Sequence, residues 1–298
     1  MATVFLCLRS RREVTMTISL VYLCRGKGAG LGAAERFIDH YCQYDPGCEH
    51  DLVVVFKGWD KTQAQVKQEL MLRFQSLAAK LVELDDDGFD WGAYMRVSVI
   101  LQTDFICFLN SFSRPLGHLW LKYMYQSIKA KDVGICGATA AYKAWRFSWP
   151  PFELRFLPAI MYPLRVIRRL VNHCLLFGYY PSEYCPHLRS NGFAVERDSF
   201  LNFASSNTIP KSKRDCYRLE SGVGSYSNYV LSLKQKLVLV DKFGTYYDTD
   251  DWIRSNTYCC PGQPGLCIAD NNTDSYDKQD IPGKRQMEFD AWGSFLHE

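Results

Sequence analysis

No uncharged apolar run in the 298 residues reaches the ~18 that a membrane-spanning helix needs, which excludes a spanning helix of ordinary composition. Net charge is scarce too. A formal +3 is too small to make nucleic acid a bulk partner. Internal repeats and low-complexity linkers are absent, which favours one elaborated domain over two. There is no C-x-x-C pair, so the Cys259-Cys260 doublet and Cys267 make a poor zinc site despite twelve cysteines. Their spacing is irregular, and Cys107, Cys136 and Cys174 sit inside apolar runs, as small buried hydrophobes do. The chain is long enough to fold without disulfides, so a reducing, cytoplasmic compartment is expected. Residues 1–15 carry an apolar TVFLCL before RSRRE, the reverse of a secretory signal. They are expected to be a poorly ordered leader, with Met16 a possible second start.

What is present is a globular composition, with 47% apolar and 22% charged residues. The first half alternates strands and helices. TISLVYL (17–23), HDLVVVFKG (50–58), FICFL (105–109) and DVGICGAT (132–139) read as strands. GLGAAERFIDHYCQY (30–44) reads as a helix. KTQAQVKQELMLRFQSLAAKLVEL (61–84) predicts a long one, with Val66, Leu70, Phe74, Leu77 and Leu81 as its apolar stripe. A further helix is expected near 117–130. This alternation predicts an α/β fold with a mostly parallel sheet flanked by helices. The second half differs. Residues 141–180 hold six basic side chains against one acid, interleaved with aromatics and prolines. The segment 143–180 is either a membrane-surface contact or a solvated helical insert. SNGFAVERDSFLNF is strand-like, KLVLVDKFGTYYD reads as strand, turn and strand, and the segment from 268 onward is acidic.

Three stretches carry candidate chemistry. RGKGAGLG (25–32) lies between the first strand and first helix, where a phosphate-cradling loop belongs. It is not GxxxxGK[ST], and its match to GxGxxG is loose. The second strand ends in Phe56-Lys57-Gly58, with no acid for a ribose, which argues against a nicotinamide cofactor. ELDDDGFDWGAY packs Asp85, Asp86, Asp87 and Asp90 into six residues, for a divalent cation, a base or ribose, or simply a solvated acidic turn. The strand Phe105–Leu109 runs into Asn110-Ser111-Phe112-Ser113, a corner of small polar groups at a ligand-binding edge. The alternative for that corner is a capped turn with Pro115 near the following helix.

In order, strand, helix, VVVFKG, long helix, DDDGFDWGAY and FICFLNSFSRPLGHLWL resemble the nucleotide-sugar half of GT-A glycosyltransferases of the family-2-like group. The resemblance covers roughly residues 16–225. In that family the strand ends in a short acidic signature; here Asn110 falls on its first position and Phe112 on its last acid, so the signature is degenerate. Glu220 in RLESG is the match to the family's catalytic base. SNGFAVERDSFLNF is similar to the strand and helix start before it. The resemblance implies a hexosyltransferase of the polysaccharide-biosynthesis type. It would have a donor-binding half at 16–140, and an acceptor-binding half with a C-terminal elaboration at 141–298.

It further implies an inverting transfer from a nucleotide-sugar donor to a glycan or glycolipid hydroxyl, with Glu220 as base. Tyr22, Lys57, Asp86, Asp87, Asp90, Asn110 and Ser111 would serve the donor. Lys211, Lys213, Arg214 and Arg218 would serve the acceptor or diphosphate. No metal ligand is assigned. Either Asp86, Asp87 or Asp90 supplies a Mn or Mg site, or the leaving charge is met without metal by Lys57, Lys211, Lys213, Arg214 and Arg218. His118, His173 and His187 are expected to be structural. The rivals are a catalytically silent nucleotide-sugar or glycan-binding module of the same fold, and a nucleotidyltransferase, which would need a strict acid pair.

Overall fold

The computed structural model describes residues 16–28, 30–143 and 184–294. The 1–15 leader and residues 144–180 of the basic stretch lie outside them. The architecture is the expected α/β class. Eight strands form a mixed sheet in the order β11-β10-β6-β9-β4-β1-β2-β3. They are β1 (Ile18–Arg25), β2 (Asp51–Lys57), β3 (Lys80–Leu84), β4 (Phe105–Leu109), β6 (Val133–Gly137), β9 (Gly192–Glu196), β10 (Lys236–Val240) and β11 (Tyr246–Tyr247). β9 runs antiparallel to both β4 and β6, and β11 antiparallel to β10; the other pairings are parallel. Two small antiparallel pairs flank the sheet: β5 (Arg114–Pro115) with β12 (Ile268–Ala269), and β7 (Ala140–Lys143) with β8 (Tyr184–Leu188).

The central strands are apolar on both faces because helices cover both. Along β1, Leu20, Tyr22 and Cys24 turn to one layer and Val21 and Leu23 to the other. The first layer takes Phe37 of α1 (Gly30–Gln43), Leu70 and Phe74 of α2 (Ala64–Ser76), and Trp120 and Met124 of α4 (Trp120–Ile128). The second takes Trp91 and Tyr94 of α3 (Phe89–Ile100), Phe200 and Phe203 of α5 (Arg197–Ser205), Leu219 of α6 (Lys213–Ser221) and Tyr226 of α7 (Tyr226–Ser232). Phe108 of β4 is fully buried there, with ring centroids 4.6 Å from Tyr94 and 4.9 Å from Phe200. Helices α8 (Asn271–Lys278) and α9 (Ile281–Trp292) complete the described chain.

Two expectations from the sequence need correcting. The helix expected over 61–84 ends at Ser76: Ala78 takes a left-handed φ of 56°, and 80–84 becomes β3 beside β2. Leu77 and Leu81 fit a helical stripe, but β2 has an unpaired edge to fill, and Lys80 and Glu83 give the new edge strand charge. The acidic stretch DDDGFDWGAY is a turn only over its first residues, because α3 begins at Phe89. Gly88 caps it at φ 73°, and Asp90 sits in its first turn, where the helix dipole favours an acid.

Candidate functional site

Strand order sets where a site can form. From β1 the chain moves outward to β2 and β3, then returns to place β4 on the other side of β1. The carboxyl ends of β1 and β4 therefore flank a topological switch point, where open sheets leave a crevice. Because β9 is antiparallel, its leading residues Arg189-Ser190-Asn191 arrive at this same edge, with Gly192 opposite Leu109. The β7–β8 pair sets Ala141 opposite His187, and the β5–β12 pair brings Asp270 beside the corner after β4. Together they enclose a cleft of about 600 Å³.

Five of the sequence-predicted residues line that cleft: Asp90, Asn110, Ser111, Lys213 and Glu220. Glu220 sits in the last turn of α6 rather than in a loop, and its Oε1 accepts the Ser190 backbone N–H at 2.7 Å. Lys213 starts that helix, after a capping box between Ser212 and Asp215. The Asn110 Oδ1 accepts from the Phe112 N–H at 2.9 Å, and the Ser113 hydroxyl, 2.9 Å from it, is shared between that oxygen and the Asn191 carbonyl. The corner is thus a capped turn and a cleft wall at once.

The other predicted residues stand elsewhere. Tyr22 lies behind the cleft, stacked on Phe37 at 3.8 Å, and its hydroxyl donates to the Ser111 carbonyl at 2.9 Å. Lys57 is 2% exposed and donates to the carbonyls of Asp87 (2.8 Å) and Phe89 (2.7 Å), tying β2 to the start of α3. Asp86 pairs with Arg25 and Lys27, each at 3.3 Å, and Asp87 with Arg96. Asp86, Asp87 and Lys211 line a second hollow of about 490 Å³, which shares Arg25 and Phe89 with the main cleft. Arg214 and Arg218 line neither hollow; Arg218 is 3.9 Å from Asp215.

The sequence reading missed several cleft residues. Arg25 and Lys27 belong to the RGKGAGLG stretch but were not singled out as ligands. His187 was expected to be structural, and it too lines the cleft, with Nδ1 at 2.8 Å from the Cys185 carbonyl. Arg189 and Asp270 form an ion pair at 3.3 Å with side chains 11% and 1% exposed, and the Arg189 guanidinium lies 4.0 Å from the Tyr258 ring centroid. Lys143 reaches Asp290 at 4.0 Å. For Asp270 a signal existed: Asp-Asn-Asn-Thr before a helix is a capping pattern, and Asp270 and Thr273 make a capping box. Arg189 and Asn191 carried none.

Burial pushes the Asp90 carboxyl above the ordinary range, against the pull of Lys57 and Arg25 and with Glu220 adding to the rise. Burial also lowers Lys57, against the pull of Asp86, Asp90 and Asp87, and lowers His187. Burial would also lower Arg189, but Tyr258 and Asp270 hold it above its ordinary value. Among the described residues no group of three or more His, Cys, Asp or Glu is arranged to hold a metal ion. Asp86 and Asp87 are committed to guanidinium and ammonium partners. The residues present do not fit a divalent cation.

No protein-family model matches the chain, and neither does any curated protein. Among solved structures it is similar to a mannosyltransferase from Pyrobaculum calidifontis in complex with GDP-Man and Mn²⁺, at 10% identity and TM-score 0.45, over 74% of this chain and 53% of that one. It is also similar to glucosyl-3-phosphoglycerate synthase from Mycobacterium tuberculosis in complex with Mn²⁺, UDP and glucosyl-3-phosphoglycerate, at 16% identity and TM-score 0.35, over 62% and 58%. The chain thus spans between half and six tenths of the length of these structures.

Proposed function

We propose that this protein is a GT-A-type, inverting glycosyltransferase that moves a hexosyl group from a nucleotide-sugar to a glycan or lipid-linked hydroxyl. The reading rests on the order of elements in the sequence and on one observation. A carboxylate fixed by a backbone N–H, Glu220, shares a switch-point cleft with the Asn110–Ser111 corner. In this reading Glu220 takes the proton of the acceptor hydroxyl as its oxygen attacks the anomeric carbon. The bond to the diphosphate breaks on the opposite face, and the departing charge is met by cations. Arg25, Lys27 and Lys213 are on the cleft for that task, and no step is routed through a metal. Lys57 holds the acidic loop from behind through two carbonyl bonds, and the hollow beside Asp86 would take the base and ribose. The halves 16–140 and 141–298 would then serve donor and acceptor within one domain.

No helix among the described residues is long and apolar enough to cross a membrane. A cytoplasmic enzyme, with membrane-surface contact through 143–180, is part of this proposal.

A second reading, a silent nucleotide-sugar-binding module, is favoured by the corner's lack of acids at Asn110–Ser113. Glu220→Gln separates the two. Donor titration by calorimetry should leave the affinity of the variant within about twofold of wild type, while release of nucleoside diphosphate in the presence of acceptor falls by roughly 10²–10⁴-fold. Wild-type binding without any turnover would move the module reading ahead. Turnover unchanged in the variant would remove Glu220 as the base.

A further inference from the structure

The floor of the cleft carries hydrogen-bonding groups that the fold does not use. Asn191 is 1% exposed, and its backbone carbonyl accepts from the Ser113 hydroxyl. Its side-chain Oδ1 accepts from the Thr139 hydroxyl at 2.5 Å. The Thr139 oxygen in turn accepts from an Arg189 guanidinium nitrogen at 3.5 Å. The amide oxygen therefore faces Thr139 and the NH₂ is turned away from it, in a residue that lines the cleft. The Nδ2 is buried and has no hydrogen-bond partner among the described residues. Ser111, 4% exposed, is in the same condition: its carbonyl accepts from Tyr22, while its Oγ has no partner among the described residues. The two are neighbours across the sheet edge, because Leu109 is opposite Gly192 and the Ser113 hydroxyl contacts both Asn110 and Asn191. Buried polar atoms are almost always satisfied, so a pair of orphans lining a cleft marks groups whose partner is a ligand.

Resting on the glycosyl-transfer reading, we propose that Asn191 and Ser111 form a neutral subsite that recognises one hydroxyl of the transferred sugar. The Asn191 amide donates to the hydroxyl oxygen, and the Ser111 oxygen accepts the hydroxyl proton. A phosphate does not suit this position. Neither group carries charge, and the adjacent Ser190 N–H already holds the Glu220 carboxylate, which would repel an anion. The cations Arg25, Lys27 and Lys213 are available elsewhere on the cleft.

The test is calorimetric titration of the full chain, without acceptor, with UDP, GDP, UDP-glucose and GDP-mannose. In wild type, one nucleotide-sugar is expected to bind. Asn191→Ala should weaken that sugar nucleotide by roughly 3- to 10-fold, while the matching nucleoside diphosphate stays within about twofold. Ser111→Ala, which removes a hydroxyl with no bond among the described residues, should act in the same direction and covers the case in which Asn191→Ala does not fold. Equal weakening of sugar nucleotide and diphosphate, or no weakening of either, would overturn the subsite and leave glycosyl transfer standing. Wild type binding none of the four would overturn both.

Discussion

Removing the Asp270 carboxylate should be among the most damaging single changes near the cleft. Its side chain is 1% exposed and does two jobs. It caps α8 by accepting the N–H groups of Asn272 (3.0 Å) and Thr273 (2.9 Å), and it neutralises Arg189 at 3.3 Å. Taking one partner from a buried pair leaves an uncompensated charge, which costs about 3–5 kcal/mol. Losing an N-cap adds about 1 kcal/mol. Arg189 keeps the Tyr258 ring at 4.0 Å and Thr139 at 3.5 Å, so the low end of the pair value applies. Asp270→Ala should therefore destabilise by about 4 kcal/mol, and Asp270→Asn, which retains a capping oxygen, by about 3 kcal/mol. Urea unfolding followed by circular dichroism reads both, and at roughly 2 °C per kcal/mol for a chain of this size the melting point of the alanine variant falls by about 8 °C. An alanine variant within about 0.5 kcal/mol of wild type would refute the reasoning. So would an asparagine variant as weak as alanine, since the cap would then contribute nothing.

Two further outcomes are expected. Gly58 has φ 65°, and a Cβ there would stand 2.9 Å from the Asp86 carboxyl, so Gly58→Ala should cost roughly 1–2 kcal/mol; made in an Asp86→Ala background, part of that cost should vanish in a double-mutant cycle, and strict additivity would dismiss the clash. His187 is lowered by burial, with Arg189 reinforcing and Glu220 opposing, so the folded state favours its neutral form. A depressed folded value means a contribution present above the unfolded value of about 6.5 and lost as pH falls through the folded one. His187→Gln should flatten the loss of urea stability on the acid side of about pH 6.5, and an unchanged slope would rule His187 out as its source.

Much of the sheet was legible because buried parallel strands are written as unbroken apolar runs: LVVVF and FICFL leave little choice. The helix over 61–84 was overdrawn because Leu77 and Leu81 satisfy two periodicities, and only the open edge of β2 decides between them. The start of α3 was obscured because Asp and Gly crowd its first turn, a composition shared by loops and helix caps. On the cleft, Asn110 and Ser111 could be found because they follow a strand directly. Asn191 and Arg189 could not, since their partners lie 78 and 81 residues away, at Ser113 and Asp270, through pairings that leave no local trace.

The strand that completes the cleft is also the one the chain reaches late. β9 lies between β4 and β6 in the middle of the sheet, yet it is separated from β6 by residues 138–191. The units β1 through β4 can pair through short connections, but the β4–β9 and β6–β9 ladders must wait for a distant segment, and long loop closures are slow. Until then β4 and β6 each present a bare edge, open to mispairing with another copy of the chain. Competence to bind would be the last property acquired in refolding. Trp91, whose ring is 5.8 Å from Phe193 on the incoming strand, is built to report the moment of its arrival.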